Sequence, residues 1–418
     1  AGMQNVTGIN NTYLGAGAGQ GASGQSNSDN VAVGKDALLA VTTGAGNVVI
    51  GSEAGEDNTA GGQNVYIGYG AAKDATLGDY NTVIGHQAGL VMTGNDANHN
   101  TIVGWEAGKA STSAAGNTFI GSKAGEALTT GGNNTVIGYE AFDAADGTEE
   151  KNIAIGYGAM GAVDEGSQAA NGNIAIGADA MTGGGITGGN FLDNIAIGRQ
   201  ALDATANNPH TGTIAIGTFA LSALTSGAQN TAVGYESMAA CTDGKRNTAL
   251  GYQTLSANMD VGDNNTAVGY GSLYTFNPDD NDHGNNTGSG AFSGYYITTG
   301  TDNTCLGYAS GATGSNNLTT GDNNTLLGSQ AVVSAAGGTN QIVIGYGAAG
   351  QANNSVTLGN ADVTAVYMAQ DSGAKVYCAE MHMANTSLDT GVASWTGQHN
   401  QHTKTDGDTN NNHDITGF

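Results

Sequence analysis

The chain has 418 residues, 71 of them glycine and 2 proline, with 36 acidic against 10 basic side chains and a formal net charge of −26. Such a balance argues against nucleic acid as a partner, because a phosphate backbone is held by clustered Lys and Arg, and the glycines lack the every-third spacing and abundant proline of collagen. Hydrophobic residues make up 39% of the chain, enough for a core, yet no stretch approaches the ~20 apolar residues of a membrane-spanning helix, so membrane insertion is not expected.

The opening segment AGMQNVTGIN lacks the basic and apolar regions of a secretory leader; it also lacks an initiator Met, so residue 1 is expected either to follow a cleavage or to lie within a longer chain. Residues 1–10 read as a lead-in. From Asn11 onward one phrase recurs: Asn, a β-branched residue, an apolar residue, Ile/Val/Leu, Gly, two variable positions, a small residue, then Gly or an apolar residue. Clear copies are NTVIGHQAG from Asn81, NTFIGSKAG from Asn117, NIAIGYGAM from Asn152 and NTAVGYESM from Asn230. Twenty copies run to SVTLG at Ser355, with 17 residues the commonest step and the excess reaching 4 residues in the longest. Repetition at this period is the signature of a solenoid.

Each position of the phrase has its own physical demand. The second is β-branched in all 20 copies and the fourth is Ile, Val or Leu in 19, failing only at Ser289; both share one face of a strand. The third points the opposite way and is also mostly apolar: Tyr66, Val83, Ile102 and Phe119, then Ala154, Ala175 and Ala196. Both faces are therefore expected to be buried, one by the far wall of the solenoid and the other by a second copy of the chain. Ala196 is expected on the inter-chain side. The fifth position is Gly in all 20 copies, including Gly85, Gly104, Gly121, Gly138, Gly156, Gly177 and Gly198, which predicts a corner where stacked backbones approach closely or φ is positive. Asn leads 17 copies, which predicts a ladder of side-chain hydrogen bonds. Segments such as TTGAG and TTGDN suit a second turn after a short return strand, so two strands per coil are expected. The fold class is thus all-β, a parallel β-solenoid of about 20 short coils over residues 11–359.

After the repeats, VTAVYMA and AKVYCAEMHM alternate as two strands joined through Gln370–Gly373, a predicted hairpin. Residues 384–418 are polar, with Trp395 the one strong apolar anchor. Residues 360–418 together read as a C-terminal β-hairpin and polar tail or tip.

The core NxAIG or NTxIG, with a small residue three places after the Gly, resembles the head repeat of trimeric autotransporter adhesins of the YadA type. It is similar also to repeats in bacteriophage tail fibres and other virion fibres. The resemblance covers residues 11–359 and implies a left-handed parallel β-roll, three chains packed about a threefold axis through the AIG strand. The spacing departs from the adhesin period of about 14 residues, which is reached only from Gln341 to Ser355. Residues 360–418 show no heptad run and no alternating barrel strands, so a stalk or barrel anchor is not expected within them, and the passage from Thr357 to Met383 looks like the entry into a phage-fibre terminal domain.

Candidate chemistry is sparse. His399 and His402, with His413 nearby, either belong to a solvated tail or hold a metal on a threefold axis. The run Asp406, Asp408, Asn410, Asn412, Asp414 alternates oxygen ligands but places Asn411 where a calcium loop needs Gly and Gly417 where it needs Glu; the insertion PDDNDHG from Pro278 is a similar candidate. Aromatic residues recur at position six: Tyr139, Tyr157, Tyr235 and Tyr252, with Tyr69, Tyr270, Tyr308, Tyr346, Trp105 and His86 in register. They read either as a packing ladder or, with Trp395, as contacts for sugar rings. The cysteines Cys241, Cys305 and Cys378 form no CxxC pair, and no GxSxG, HExxH or phosphate loop is present. The expectation is a non-enzymatic protein without cofactors: a homotrimeric fibre or spike of a virus particle, joined to other virion proteins at one end. Its tip, or longer loops near residues 160–172, 181–193 and 273–285, would contact a glycan or protein receptor on the host surface. A bacterial surface adhesin head and a self-assembling extracellular filament are the alternatives.

Overall fold

The computed structural model describes residues 2–145, 147–163, 170–183, 190–204, 210–257, 262–278 and 284–366. Over these the chain is all-β, without a helix, and winds as a parallel β-solenoid whose strands form one 20-stranded sheet. Each strand is the second to fourth position of the phrase, extended to position one in the last two, Gln341–Ile344 and Ser355–Leu358, and successive copies stand in register, as Thr82, Val83 and Ile84 do opposite Thr101, Ile102 and Val103. Residues 2–8 lie against the first coil, with Gly2 N donating to Ala18 O and Val6 N to Gln25 O. The two longer steps around Asn173 and Asn194 add a small parallel pair, Ala170–Asn171 with Phe191–Leu192.

The corner after each strand explains the invariant glycine. At Gly85 φ is +142°, and a Cβ there would sit 2.7 Å from the carbonyl carbon of Gly104 in the next coil. Gly104 faces Gly121 the same way. Strands about 4.8 Å apart leave no room for a side chain pointing along the stacking axis.

Asn at position one is buried and forms the predicted ladder. Asn100 N donates to Asn81 Oδ1 at 2.9 Å, and Asn100 Nδ2 donates both to Asn81 Oδ1 at 3.1 Å and to the Ala114 carbonyl at 2.8 Å. The side chain thus ties its own coil to the one before and closes the turn that leads into the next phrase. Thr213, which replaces Asn in one coil, still donates its N–H to Asn194 Oδ1 at 3.0 Å.

The return limb differs from expectation: among the described residues no second strand closes each coil. After the corner the backbone turns left-handed at alternate residues, as at Gln87 (φ 53°) and Gly89 (φ 53°), or Glu140 (φ 50°) and Phe142 (φ 51°). This alternation cannot make a pleated strand, but it still points amide groups along the axis. Gln87 N donates to Tyr69 O in the preceding coil, and Gly89 N to Ala107 O in the following one, both at 2.9 Å. The left-handed conformation costs about 1–2 kcal/mol per non-glycine residue, and the inter-coil hydrogen bonds offset it.

The interior lies between strand and return limb. Position three points into it: Val83, Ile102, Phe119, Val136, Ala154, Ala175 and Ala196 are all fully buried. So is the small residue at position eight, as in Ala88, Ala107 and Ala124. The expectation that Ala196 lies on an inter-chain face is therefore corrected. Ala196 fills the interior of its own coil, and its neighbours Ile195 and Ile197 face outward.

Candidate functional site

Positions two and four make the outer face of the sheet. In the single chain this face is only half covered, with Ile50 40% and Leu327 44% exposed. Because the pattern repeats in every coil but that of Ser289, the result is a ribbon of Thr, Val, Ile and Leu running along the stack. Charges lie elsewhere, on the return limb and at the turn that leads into the strand. Lys73 Nζ reaches Glu53 at 2.9 Å and Glu56 at 3.3 Å, Lys109 pairs with Glu106 at 2.9 Å, and Arg246 reaches Asp263 in the next coil at 2.7 Å. Lys73 accordingly holds its proton more tightly and Glu53 gives it up more readily than usual, each first through its hydrogen bond to the other.

Position six lies just past the corner, on the surface. Tyr139 and Tyr157 stack at 5.8 Å with planes 12° apart, and Tyr235 and Tyr252 at 5.3 Å and 11°; Tyr69 stacks on His86 at 5.3 Å. Tyr139, Tyr157, Tyr235 and Tyr252 are all exposed, and within each pair the ring faces toward each other are covered. Cations also lie over rings of this side: Lys123 over Trp105 at 5.7 Å and Arg199 over Phe219 at 4.3 Å.

Farther along, the stacking breaks. Tyr252 and Tyr270 are inclined by 68°, Tyr270 and Phe292 by 61°, and Phe292 and Tyr308 by 82°. There Phe292, Tyr295, Tyr296, Tyr308, Thr313 and Gln330 line an open cleft of 310 Å³. Sequence reasoning missed Phe292, Tyr295, Tyr296 and Gln330. The available signal was the run FSGYY, which puts three aromatic residues in a coil whose sixth position is Ala291.

A second irregularity lies at the corner before the Asn ladder. Most coils carry Gly or Ala there, but Glu149, Phe191 and His210 bury full side chains. His210 Nδ1 lies 3.0 Å from the Gly227 carbonyl, the ring meets Phe191 edge-on at 5.9 Å, and Nε2 is buried without a described partner. Burial pulls the His210 pKa below its ordinary value, against hydrogen bonds to the Gly227 and Thr225 carbonyls and the charge of Asp243. Both Glu149 carboxylate oxygens accept the Gly147 N–H. Cys305 occupies strand position three, and burial pushes its thiol up to about 12, far from reactive; Cys241 is also buried.

Several sequence candidates lie outside the described residues: His399, His402, Asp406, Asp408, Trp395, Cys378, residues 367–418 of the expected tip, and 164–169, 184–189 and 279–283 of the three longer loops. Among the described residues no group of three or more His, Cys, Asp or Glu is placed to hold a metal ion, and no helix is long and apolar enough to cross a membrane. No protein-family model matches the chain, and no curated protein matches it significantly.

Proposed function

We propose that the chain is a structural rather than catalytic protein: a homotrimeric fibre or spike of a virus particle, anchored to other virion proteins at one end and contacting a host surface glycan or protein receptor. The observation that carries this reading is the outer ribbon of positions two and four. A partly exposed strip of Thr, Val, Ile and Leu that recurs along a 20-stranded sheet is the kind of extended apolar surface that marks an interaction face. Three chains meeting along it would bury the ribbon on a common axis. Coils spaced about 4.8 Å apart make a stiff spacer on the order of 95 Å long from the 20 strands, and acidic residues on the return limb, such as Glu53, Glu106 and Glu140, suit a solvent-facing wall.

Mass measurement in solution tests it. The full chain is expected at three times its 41.4 kDa, and Ile197→Glu on the outer face should release folded monomers. A soluble wild-type monomer stable at micromolar concentration would overturn the trimer. Micrographs separate the remaining readings: fibres of fixed length on particles support the virion assignment, and filaments of indefinite length would favour self-assembly instead.

A further inference from the structure

The geometry points to a binding site for a neutral pyranose in the cleft formed by Phe292, Tyr295, Tyr296, Tyr308, Thr313 and Gln330. A sugar ring presents an apolar C–H face and a rim of hydroxyl groups. It therefore needs an aromatic face open to solvent and polar groups beside it. The stacked pair Tyr235 and Tyr252, 5.3 Å apart and nearly parallel, cover each other's inner faces, and Phe219 and Tyr270 stand against their outer sides.

The cleft differs for identifiable reasons. Position six in its coil is Ala291, so one ring is missing from the ladder between Tyr270 and Tyr308. Phe292 enters from position seven on left-handed backbone (φ 58°) and crosses both neighbouring rings at steep angles, 61° to Tyr270 and 82° to Tyr308. Gly271 makes space for it, since a Cβ there would lie 3.2 Å from Phe292 Cδ1 and 3.4 Å from Tyr295 Cδ2. Tyr295 is fixed from behind by Tyr274, stacked at 5.0 Å and 5°, and Tyr296 stands at 75° to it. Tyr296 and Tyr308 are 43% and 54% exposed.

Polar groups converge on the same space. Gln330 and Thr313 bring an amide and a hydroxyl to the lining, with the Gln330 backbone held by its N–H donating to Tyr308 O at 2.8 Å and its carbonyl accepting from Thr313 Oγ1 at 3.4 Å. The volume of 310 Å³ is at the small end of ligand sites, near about 300 Å³. No Lys, Arg, Asp or Glu lines the cleft, and a chain of net charge −26 repels acidic sugars. A neutral hexose or N-acetylhexosamine unit within a longer chain fits these terms. The surface-attachment reading above supplies the biological partner, on which this inference rests; the chemistry stands on the cleft alone.

Saturation-transfer NMR on the full chain, with cellotetraose, chitotetraose and β-1,4-galactotetraose as neutral probes and tetragalacturonate as the acidic contrast, tests the site. At least one neutral probe should bind, and Tyr296→Ala and Tyr308→Ala should each weaken it about tenfold or more, while Tyr296→Phe and the ladder control Tyr235→Ala stay near wild type. Unchanged circular dichroism checks that each variant folds. Binding by none of the neutral probes, binding of the acidic probe alone, or equal loss in Tyr235→Ala would overturn the site. Adhesion to a panel of bacterial cells separates the two readings. Adhesion undiminished in Tyr308→Ala sinks the cleft and leaves attachment standing, whereas saccharide binding by a chain that adheres to no cell does the reverse.

Discussion

The coils that begin at Asn47 through Asn117 and those between 152 and 273 enclose the same interior with opposite walls. In the first group the strand supplies the bulk and the return limb yields: Val83 goes with Gly89, Ile102 with Gly108, Phe119 with Gly125. A Cβ on Gly125 would lie 3.1 Å from the Phe119 ring, and one on Gly108 2.8 Å from it. In the second group the strand carries only Ala, and position nine becomes Met160, Met181, Leu202, Leu221, Met238, Leu255 or Leu273, all buried. The cross-section is conserved while the wall that fills it changes. A close-packed interior demands a fixed volume and is indifferent to which limb provides it.

Four experiments break or sharpen that comparison, read by urea unfolding. The corner is common to both groups, so Gly104→Val and Gly198→Val should be equally severe. Each would force a side chain against the next corner carbonyl, with Cβ 2.5 Å from Gly121 C and 2.6 Å from Gly217 C, at a cost on the order of 4 kcal/mol or loss of folding. A marked difference between them would mean that the two groups do not share one backbone.

Next come the walls. Phe119→Ala should cost about 3–5 kcal/mol and Ala196→Phe about 1–3 kcal/mol. Gly125→Leu should restore much of the first loss and Leu202→Gly much of the second, with coupling of about 1 kcal/mol or more. Left-handed leucine is already accommodated at Leu202 and Leu221 (φ 53° and 51°). Purely additive effects would refute the exchange of volume.

A smaller gain is expected at Asn58, an interior position held by Val41 and Ala75 in the adjacent coils. Neither amide atom of Asn58 has a hydrogen-bond partner among the described residues, so Asn58→Leu should stabilise the first group by about 1–2 kcal/mol; a loss of stability would show that a polar partner is needed there.

The smallest effect concerns pH. His210 belongs to the second group, where the first has Gly61, Gly78 and Gly131 at the same corner. Its folded-state pKa lies below the ordinary 6.5, so the unfolded chain takes up the proton first. The contribution of His210 is complete above about pH 6.5 and is lost as pH falls through the depressed folded value. His210→Gly should flatten this part of the pH profile; an unchanged profile would remove His210 as its source.

Much of the fold was legible in the sequence because its signals are local and repeat. An invariant glycine after a β-branched, apolar, Ile/Val/Leu triplet marks a strand and a corner, and the leading Asn marks the ladder. The candidate site was less legible. Tyr139, Tyr157, Tyr235 and Tyr252 announced themselves by period, whereas the cleft arises where the period fails, at Ala291, and depends on rings from three coils meeting at angles that no spacing encodes.

The sequence by itself determined the number of coils, the strand positions and the corners, since stacking at fixed separation tolerates only one residue type at a corner. Only the tertiary structure decided which strand face is interior. Both faces are apolar, so alternation distinguishes two sides without saying which is inside. It also decided that the return limb is a left-handed alternation, because Gln87 and Glu106 carry no compositional mark of that backbone. And it decided that positions three and nine exchange volume, since they meet only across the coil.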